Sequence, residues 1–218
     1  MYLFVLCPPR QGSTVLYKLL WTSPNVSTLF GKSEWVGEGQ FAPGAKKFFA
    51  DQWSEHINWP GVKRAWDKHW DLSKLIQCEK SPSNICRGKT IEKFFGQFAP
   101  VYFICMVRNP YARKTVDRWI HGAKYQRKNM EELNNVFRLT YEQLTDDLPG
   151  TIERLLRFLP QLKKLDPNIK GVPGIQDVKR NRRIHNMNPA NTAEEIKRKN
   201  RVLSKHVDLL KFHGYELL

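Results

Sequence analysis

Short continuous apolar runs alternate along this chain with stretches in which apolar residues recur at helical spacing. Two of the runs, 2–7 (YLFVLC) and 101–107 (VYFICMV), suit strands that are buried on both faces. Segments 75–78 and 136–139 are shorter strand candidates. Apolar runs without alternating polar residues are typical of parallel sheets, which helices cover on both sides.

Helical spacing follows most of these runs. We predict helices that begin near Val15, near Pro110 and at Thr192, and further helices over 45–57, 83–98 and 151–159. The last helix has a clear start, because Thr192 and Glu195 have the spacing of a capping box. Pro60 and Gly61 predict a turn, and the glycines of 30–43 predict a loop.

Strands that alternate with helices indicate right-handed βαβ units and therefore the α/β fold class. We predict a single domain over residues 1–218, with a central parallel β-sheet flanked by helices and a P-loop-like strand-loop-helix at its N-terminus. Ligands of such folds bind outside the carboxyl ends of the strands. Three motif-like segments, 9–14, 79–82 and 108–110, fall at predicted strand ends.

The loop after the first strand, PRQGST over 9–14, has the chemistry of an anion site. Free backbone N–H groups and the positive end of a helix dipole meet there. Gly12 allows the backbone to approach a ligand, and Arg10 adds a positive fork. The loop is not a Walker A motif, because no glycine opens it and no lysine follows Gly12. A plain βα turn with a capped helix is the alternative interpretation.

The composition indicates that the binding partner is anionic but does not identify it. The 218 residues carry a formal net charge of +15, which attracts a phosphorylated nucleotide, an acidic glycan, nucleic acid or an anionic membrane surface. No run reaches the roughly 20 apolar residues of a membrane span. The cysteines form no C-x-x-C pair and favour buried, reduced thiols, so we expect a cytoplasmic protein. They are Cys7, Cys78, Cys86 and Cys105.

The three strand-end segments together resemble one family, the sulfotransferases that use 3′-phosphoadenosine-5′-phosphosulfate (PAPS). PRQGST resembles their 5′-phosphosulfate loop, commonly P-[RK]-[ST]-G-[ST]-[ST], with Gln11 in place of a small hydroxyl residue. EKSP over 79–82 resembles the E-K-[ST]-P element of glycan-modifying members. FICMVRNPYAR over 103–113 resembles the 3′-phosphate element. In motif style the chain is closest to glycan- and tyrosyl-modifying members.

The resemblance implies roles for individual residues in donor binding. Residues of the first loop would hold the 5′-phosphosulfate, namely Arg10, Gln11, Gly12, Ser13 and Thr14. Lys80 would balance charge on the sulfuryl oxygens, and Arg108 would bind the 3′-phosphate. The family usually places a serine eight residues after that arginine, where this chain has Val116, so Thr115 is the candidate replacement.

Further roles follow from the same resemblance. Tyr141 opens a segment (YEQL) that resembles the family's Y-E-D-L and would lie near the adenine. Arg182 and Arg183, in a basic stretch before the last helix, are candidate 3′-phosphate contacts. The general base would be Glu34, with Glu38 and His69 as alternatives and His56 as a weaker one.

The predicted function is transfer of a sulfuryl group from PAPS to a hydroxyl or amine of an acceptor, with 3′-phosphoadenosine 5′-phosphate (PAP) as product. The acceptor would be a carbohydrate, possibly anionic, or a small metabolite. The family's chemistry requires no metal, and we expect neither a metal nor a nucleic-acid partner. Two alternatives stay open: a P-loop nucleotide kinase or NTPase-like enzyme, and a non-catalytic basic protein that binds acidic glycan or nucleic acid.

Overall fold

Five parallel strands form the central sheet, in the order β2-β3-β1-β4-β5. The computed structural model describes residues 1–29, 37–169 and 184–218. The strands are β1 (Tyr2–Leu6), β2 (Val26–Ser27), β3 (Ile76–Glu79), β4 (Val101–Val107) and β5 (Val136–Thr140). This sheet with its flanking helices confirms the predicted α/β class, and the two long apolar runs are its centre, β1 and β4.

Eight α-helices lie in the described part of the chain, joined by short 3₁₀ segments. They are α1 (Ser13–Trp21), α2 (Trp59–Trp66), α3 (Gly88–Phe95), α4 (Asp117–Glu132), α5 (Tyr141–Asp146), α6 (Leu148–Phe158), α7 (Ala193–Leu203) and α8 (Val207–Phe212). The predicted capping box at the start of α7 is confirmed, because Thr192 and Glu195 bond to each other's backbone N–H groups.

Burial on both faces explains why β1 is apolar at every position. Phe4 and Leu6 belong to a core cluster that contains Trp66 and Phe95, from α2 and α3. The intervening residues of β1 face the opposite cluster, which contains apolar residues of α1 and α6. A third cluster joins α4 to α7 and α8 around Trp119. The sheet is therefore held between two layers of helices, and its strand ends are fixed at one edge.

Two local predictions in the stretch 45–71 are wrong. Instead of a helix over 45–57, only a 3₁₀ segment at Lys46–Phe49 forms. Instead of a turn, Pro60 and Gly61 begin α2, with the Asn58 side chain accepting the Gly61 N–H at 2.9 Å. Proline needs no hydrogen-bonded N–H in the first turn of a helix, so the same residues that predict a turn also permit a helix start.

The helices predicted near Pro110 and over 83–98 begin later than expected. Only a 3₁₀ segment forms at Pro110–Ala112, and α4 starts at Asp117. A 3₁₀ segment at Pro82–Cys86 precedes α3. Arg87, buried between them, donates to the carbonyl oxygens of Ser83 at 2.9 Å and of Asp51 and Gln52 at 3.0 Å. The Arg87 side chain thus joins this 3₁₀ segment to the stretch 51–52.

The predicted burial of the cysteines is confirmed, since all four free thiols are buried. In the ranges that the structure describes, no helix has both the length and the apolar character to cross a membrane.

Candidate functional site

The loop that follows β1 carries strained backbone and an uncapped helix. Arg10 has a φ of 63°, and Gly12, the N-cap of α1, has a φ of 95°. No side chain caps α1, and its first turn has no acidic residue. The helix therefore presents N–H groups and the positive end of its dipole at the sheet edge, beside the Ser13 and Thr14 hydroxyls.

Gly12 is required by contact as well as by conformation. A Cβ atom at this position would lie 2.4 Å from Cδ2 of Tyr141, the first residue of α5. Non-glycine residues seldom adopt a φ near 95°, so a substitution here would add backbone strain to the steric clash. The loop thus packs directly on the segment that follows β5.

Lys80 follows β3 and meets the first loop. Its side chain is fully buried, and its Nζ lies 2.8 Å from Oε1 of Glu38 and 3.5 Å from Oγ1 of Thr14. The other Glu38 oxygen accepts the side-chain amide of Gln40 at 2.7 Å. A buried ammonium group beside an uncapped helix N-terminus is suited to stabilising negative charge on a ligand.

A second acidic residue lies behind this ion pair. Glu79 is 1% exposed and accepts the Gly39 N–H at 3.0 Å and the Asn84 amide at 2.7 Å. The Ser81 hydroxyl also donates to Glu79, and the Ser81 oxygen accepts the Gln40 N–H at 2.9 Å. Burial raises the pKa of Glu79 to about 7, and the three hydrogen bonds oppose that rise.

Arg108 follows β4 and is fixed on three sides. Its backbone N–H donates to Oε1 of the buried Gln11 at 3.0 Å, and its carbonyl oxygen accepts the Trp119 indole N–H at 2.7 Å. Its guanidinium carbon lies 4.1 Å from the Tyr141 ring centre, and its Nε donates to Oδ1 of Asn188 at 2.7 Å. Gln11, the departure from the family pattern, therefore joins the first loop to β4.

Glu142 is a connecting residue that the sequence analysis did not select. Its Oε1 accepts the Asn109 N–H at 3.1 Å and the Asn188 amide at 2.7 Å. Its Oε2 accepts the Tyr215 hydroxyl at 2.7 Å. The available signal was its place in the YEQL segment, but Asn188 and Tyr215 are far from it in sequence.

Four arginines lie near this edge, and none of them pairs with an acidic residue in the part of the chain that the structure describes. Burial lowers the pKa of Arg113, and the neighbouring charges of Arg118, Arg108 and Arg10 lower it further. Like charges that cluster without counter-charges favour a ligand with several negative charges.

The remaining predicted residues have different positions. Thr115 is exposed just before α4, whereas Val116 is buried in the cluster around Trp119. The Tyr141 hydroxyl donates to the His185 carbonyl at 3.1 Å and accepts the Met187 N–H at 3.2 Å. The hydroxyl is thus bonded to backbone, and the ring packs on Gly12 and Arg108.

The histidine alternatives are both exposed. Nε2 of His69, beyond the end of α2, lies 3.4 Å from the Pro43 carbonyl oxygen, and the His56 backbone is bonded to Ser54. Glu34, Arg182 and Arg183 lie outside the described residues. Within 1–29, 37–169 and 184–218, no three His, Cys, Asp or Glu side chains are grouped to hold a metal ion.

Comparison with known proteins gives similarity in structure. No protein-family model and no curated protein sequence matches the chain. The sulfotransferase domain from the curacin biosynthetic pathway superposes with a TM-score of 0.55 at 15% identity, covering 99% of this chain and 98% of its own. The sulfotransferase from Alicyclobacillus acidocaldarius gives 0.59 at 12% identity, covering 99% and 96%.

A third similar structure is the sulfotransferase domain from the Synechococcus PCC 7002 olefin synthase. Its TM-score is 0.50 at 16% identity, and 93% of this chain and 94% of that domain are covered. At such identities the similarity concerns the course of the backbone and not the substrates. It agrees with the resemblance in the three strand-end segments, and the chain has the sulfotransferase fold.

Proposed function

We propose that this protein is an enzyme that transfers a sulfuryl group from PAPS to a hydroxyl or amine of an acceptor and releases PAP. The observation that carries the proposal is the meeting of three strand ends at one edge of the sheet. Lys80 contacts the first loop through Thr14, and Arg108 bonds to the same loop through Gln11. The sulfotransferase fold supports this assignment.

Charge and backbone geometry support a donor with phosphate groups at both ends. The N–H groups at the start of α1, with Ser13, Thr14 and Arg10, would hold the 5′-phosphosulfate. Arg108, supported by the neighbouring charges of Arg113 and Arg118, would hold the 3′-phosphate. Thr115 is exposed at the N-terminal end of α4, where its hydroxyl would supplement these contacts.

The donor supplies a sulfuryl group that is activated by its phosphate leaving group. In the transfer, a bond forms between the acceptor oxygen and sulfur, and the sulfur–oxygen bond to the phosphate breaks with its electron pair going to PAP. Lys80 and Arg10 would neutralise charge on the peripheral and leaving oxygens. This assigns catalysis to positioning and electrostatics.

A carboxylate would remove the proton of the acceptor hydroxyl. We assign this role to Glu38, because its carboxylate lies 2.8 Å from the Lys80 ammonium and keeps some exposure. When the sulfuryl oxygens of the donor bind the Lys80 ammonium, its ion pair with Glu38 would break. The Glu38 carboxylate would then be free to accept the proton. Glu34 and His69 stay as alternatives that substitution distinguishes.

The acceptor class is proposed from charge. A carbohydrate or small metabolite with a hydroxyl fits the family resemblance, and the net charge of +15 favours an anionic one. Four buried free thiols suit a reducing compartment, so the cytoplasm is the proposed location. Cell fractionation tests the location, and a screen of acceptors with labelled PAPS tests the class.

Calorimetry with PAP tests the donor site. PAP should bind the unaltered protein, and Arg10→Ala and Arg108→Ala should each weaken binding while the fold persists. Arg127→Ala is the matched control, because Arg127 pairs with Glu131 and Asp208 on another surface. Normal PAP affinity in both site variants would contradict the assignment. Binding of ATP with magnesium in place of PAP would favour the kinase or NTPase alternative.

A further inference from the structure

We infer that Glu79 is a positioning residue that holds segment 37–41 so that the Glu38 carboxylate meets the Lys80 ammonium. The inference rests on the proposed function, since it assigns Glu38 and Lys80 to sulfuryl transfer. Glu79 precedes Lys80 in sequence, and its side chain bonds to the backbone of the segment that carries Glu38.

The contacts of Glu79 require a carboxylate. Its Oε1 accepts two hydrogen bonds, from the Gly39 N–H and the Ser81 hydroxyl, while its Oε2 accepts the Asn84 amide. An ionised carboxylate accepts at both oxygens without donating, whereas a glutamine has one acceptor oxygen and one donor nitrogen. Burying the Glu79 charge at 1% exposure costs free energy. A residue that only filled space or made one hydrogen bond would not need to be charged.

The segment held by Glu79 has little freedom at the residue after Glu38. Besides the Gly39 N–H, the Gly39 carbonyl oxygen accepts the Trp66 indole N–H at 2.9 Å. A Cβ atom at Gly39 would lie 2.7 Å from both Oε1 of Glu79 and Cε2 of Trp66. The following N–H, of Gln40, is bonded to Ser81. Two successive backbone amides are thus fixed by the EKSP segment, and Glu38 immediately precedes them.

The same contacts predict a dependence on pH. Burial raises the pKa of Glu79 to about 7, and the titratable or charged groups facing it are Lys80, Tyr17, Cys78 and Arg87. Protonation removes one acceptor position and weakens the hold on Gly39 or Asn84. Turnover should therefore fall as pH decreases through about 7, while donor binding through Arg10 and Arg108 changes little.

Glu79→Gln is the informative variant. It should fold, because Oδ1 of Asn84 has no hydrogen-bond partner among the described residues and can accept from the new amide after the Asn84 side chain turns. Ser81→Ala is the second variant, since it releases the Gln40 N–H and keeps the Glu79 charge. Ser23→Ala is the matched control, because it removes a buried hydrogen bond to Leu162 at the far end of α1.

Three measurements separate positioning from stability: PAP affinity, PAPS turnover from pH 6 to 8 with water as acceptor, and hydrogen exchange at Gly39 and Gln40. We expect E79Q to keep PAP affinity, to lose about 10-fold or more in turnover at pH 8, and to lose the decline near pH 7. Exchange at Gly39 should be about 10-fold faster. S81A should lose turnover and show the decline at a higher pH, because the hydrogen bond that it removes lowers the pKa of Glu79, and S23A should match the unaltered protein.

The contrary outcomes are distinct. Unchanged turnover and an unchanged pH profile in E79Q would overturn the positioning role, as would unchanged exchange at Gly39. Failure of the proposed function would appear instead in the unaltered protein, as absence of PAP binding at any pH. That result would overturn both proposals, even if E79Q still accelerated exchange at Gly39.

Discussion

The guanidinium carbon of Arg108 lies 4.1 Å from the centre of the Tyr141 ring. Strand register causes this contact, because Val107 of β4 pairs with Thr140 of β5 and the two residues that follow are neighbours. The Tyr141 ring also fills the space that a Cβ atom at Gly12 would need. One aromatic ring, from the residue after β5, therefore contacts the residue after β4 and the loop after β1. Tyr141 thus packs on both Arg108 and the first loop.

Tyr141 variants should separate ring packing from hydrogen bonding. Tyr141→Phe keeps the contact with Arg108 but loses the bonds to His185 and Met187, so we expect PAP affinity to fall only a few-fold. Tyr141→Ala also removes the cation–π contact, worth about 0.5–2 kcal/mol, and should weaken binding by about a further 2- to 30-fold. Calorimetry with PAP measures both, and equal affinities in the two variants would contradict a supporting role for the ring.

Gln11 should contribute to stability as well as to loop position. Gln11→Ala leaves the partly buried Arg108 N–H without its Gln11 partner, which should lower the free energy of unfolding by about 1 kcal/mol. Urea denaturation measures this change. Gln97→Ala, at an exposed position, is the control and should stay within about 0.5 kcal/mol. A Gln11→Ala protein as stable as the control would show that water replaces the bond.

The general base is tested by two carboxylate substitutions. Glu38→Gln should reduce PAPS turnover by about 100-fold or more while PAP still binds, because general-base catalysis contributes about 10²–10⁴-fold. Glu34→Gln, the variant at the base that the sequence predicted, should keep most of the turnover. If Glu34→Gln loses turnover and Glu38→Gln does not, Glu34 is the general base. If neither variant loses turnover, His69 becomes the candidate base. Each variant is assayed with labelled PAPS and one acceptor.

Glu79 should also make stability depend on pH. Its pKa is raised from an ordinary 4.5 to about 7, so its contribution is present below pH 4.5 and is lost as pH rises through 7. The shift corresponds to about 3 kcal/mol. Relative to Glu79→Gln, the unaltered protein should therefore lose about this much stability between pH 4.5 and pH 8. Urea denaturation of both proteins at several pH values measures the difference, and parallel curves would contradict the raised pKa.

Short sequence patterns correctly predicted those parts of the protein whose burial or backbone geometry depends on a few neighbouring residues. The runs at β1 and β4 are apolar at every position because helices cover both faces of the sheet. Gly12 indicates a loop position at which a larger residue would not fit. Thr192 and Glu195 indicate the start of a helix. Each of these signals depends on neighbours within a few residues.

Tertiary packing decided the elements that local signals misplaced. The segment 45–57 has apolar residues at helical spacing, yet Phe49 packs on Trp66 from a 3₁₀ segment. β2 has two residues and no sequence signal of its own, and its pairing with β3 defines it. Such elements exist because of partners distant in sequence, and intrinsic propensity does not predict them.

The same division applies to the candidate site. The sequence by itself determined which strand ends carry Arg10, Lys80 and Arg108, because in a parallel sheet those ends share one edge. The pairing of Glu38 with Lys80, 42 residues away, and the link that Glu142 makes between Asn188 and Tyr215 follow from the folded structure. Side-chain pairing depends on distances across loops, and loop paths follow from packing and not from local sequence.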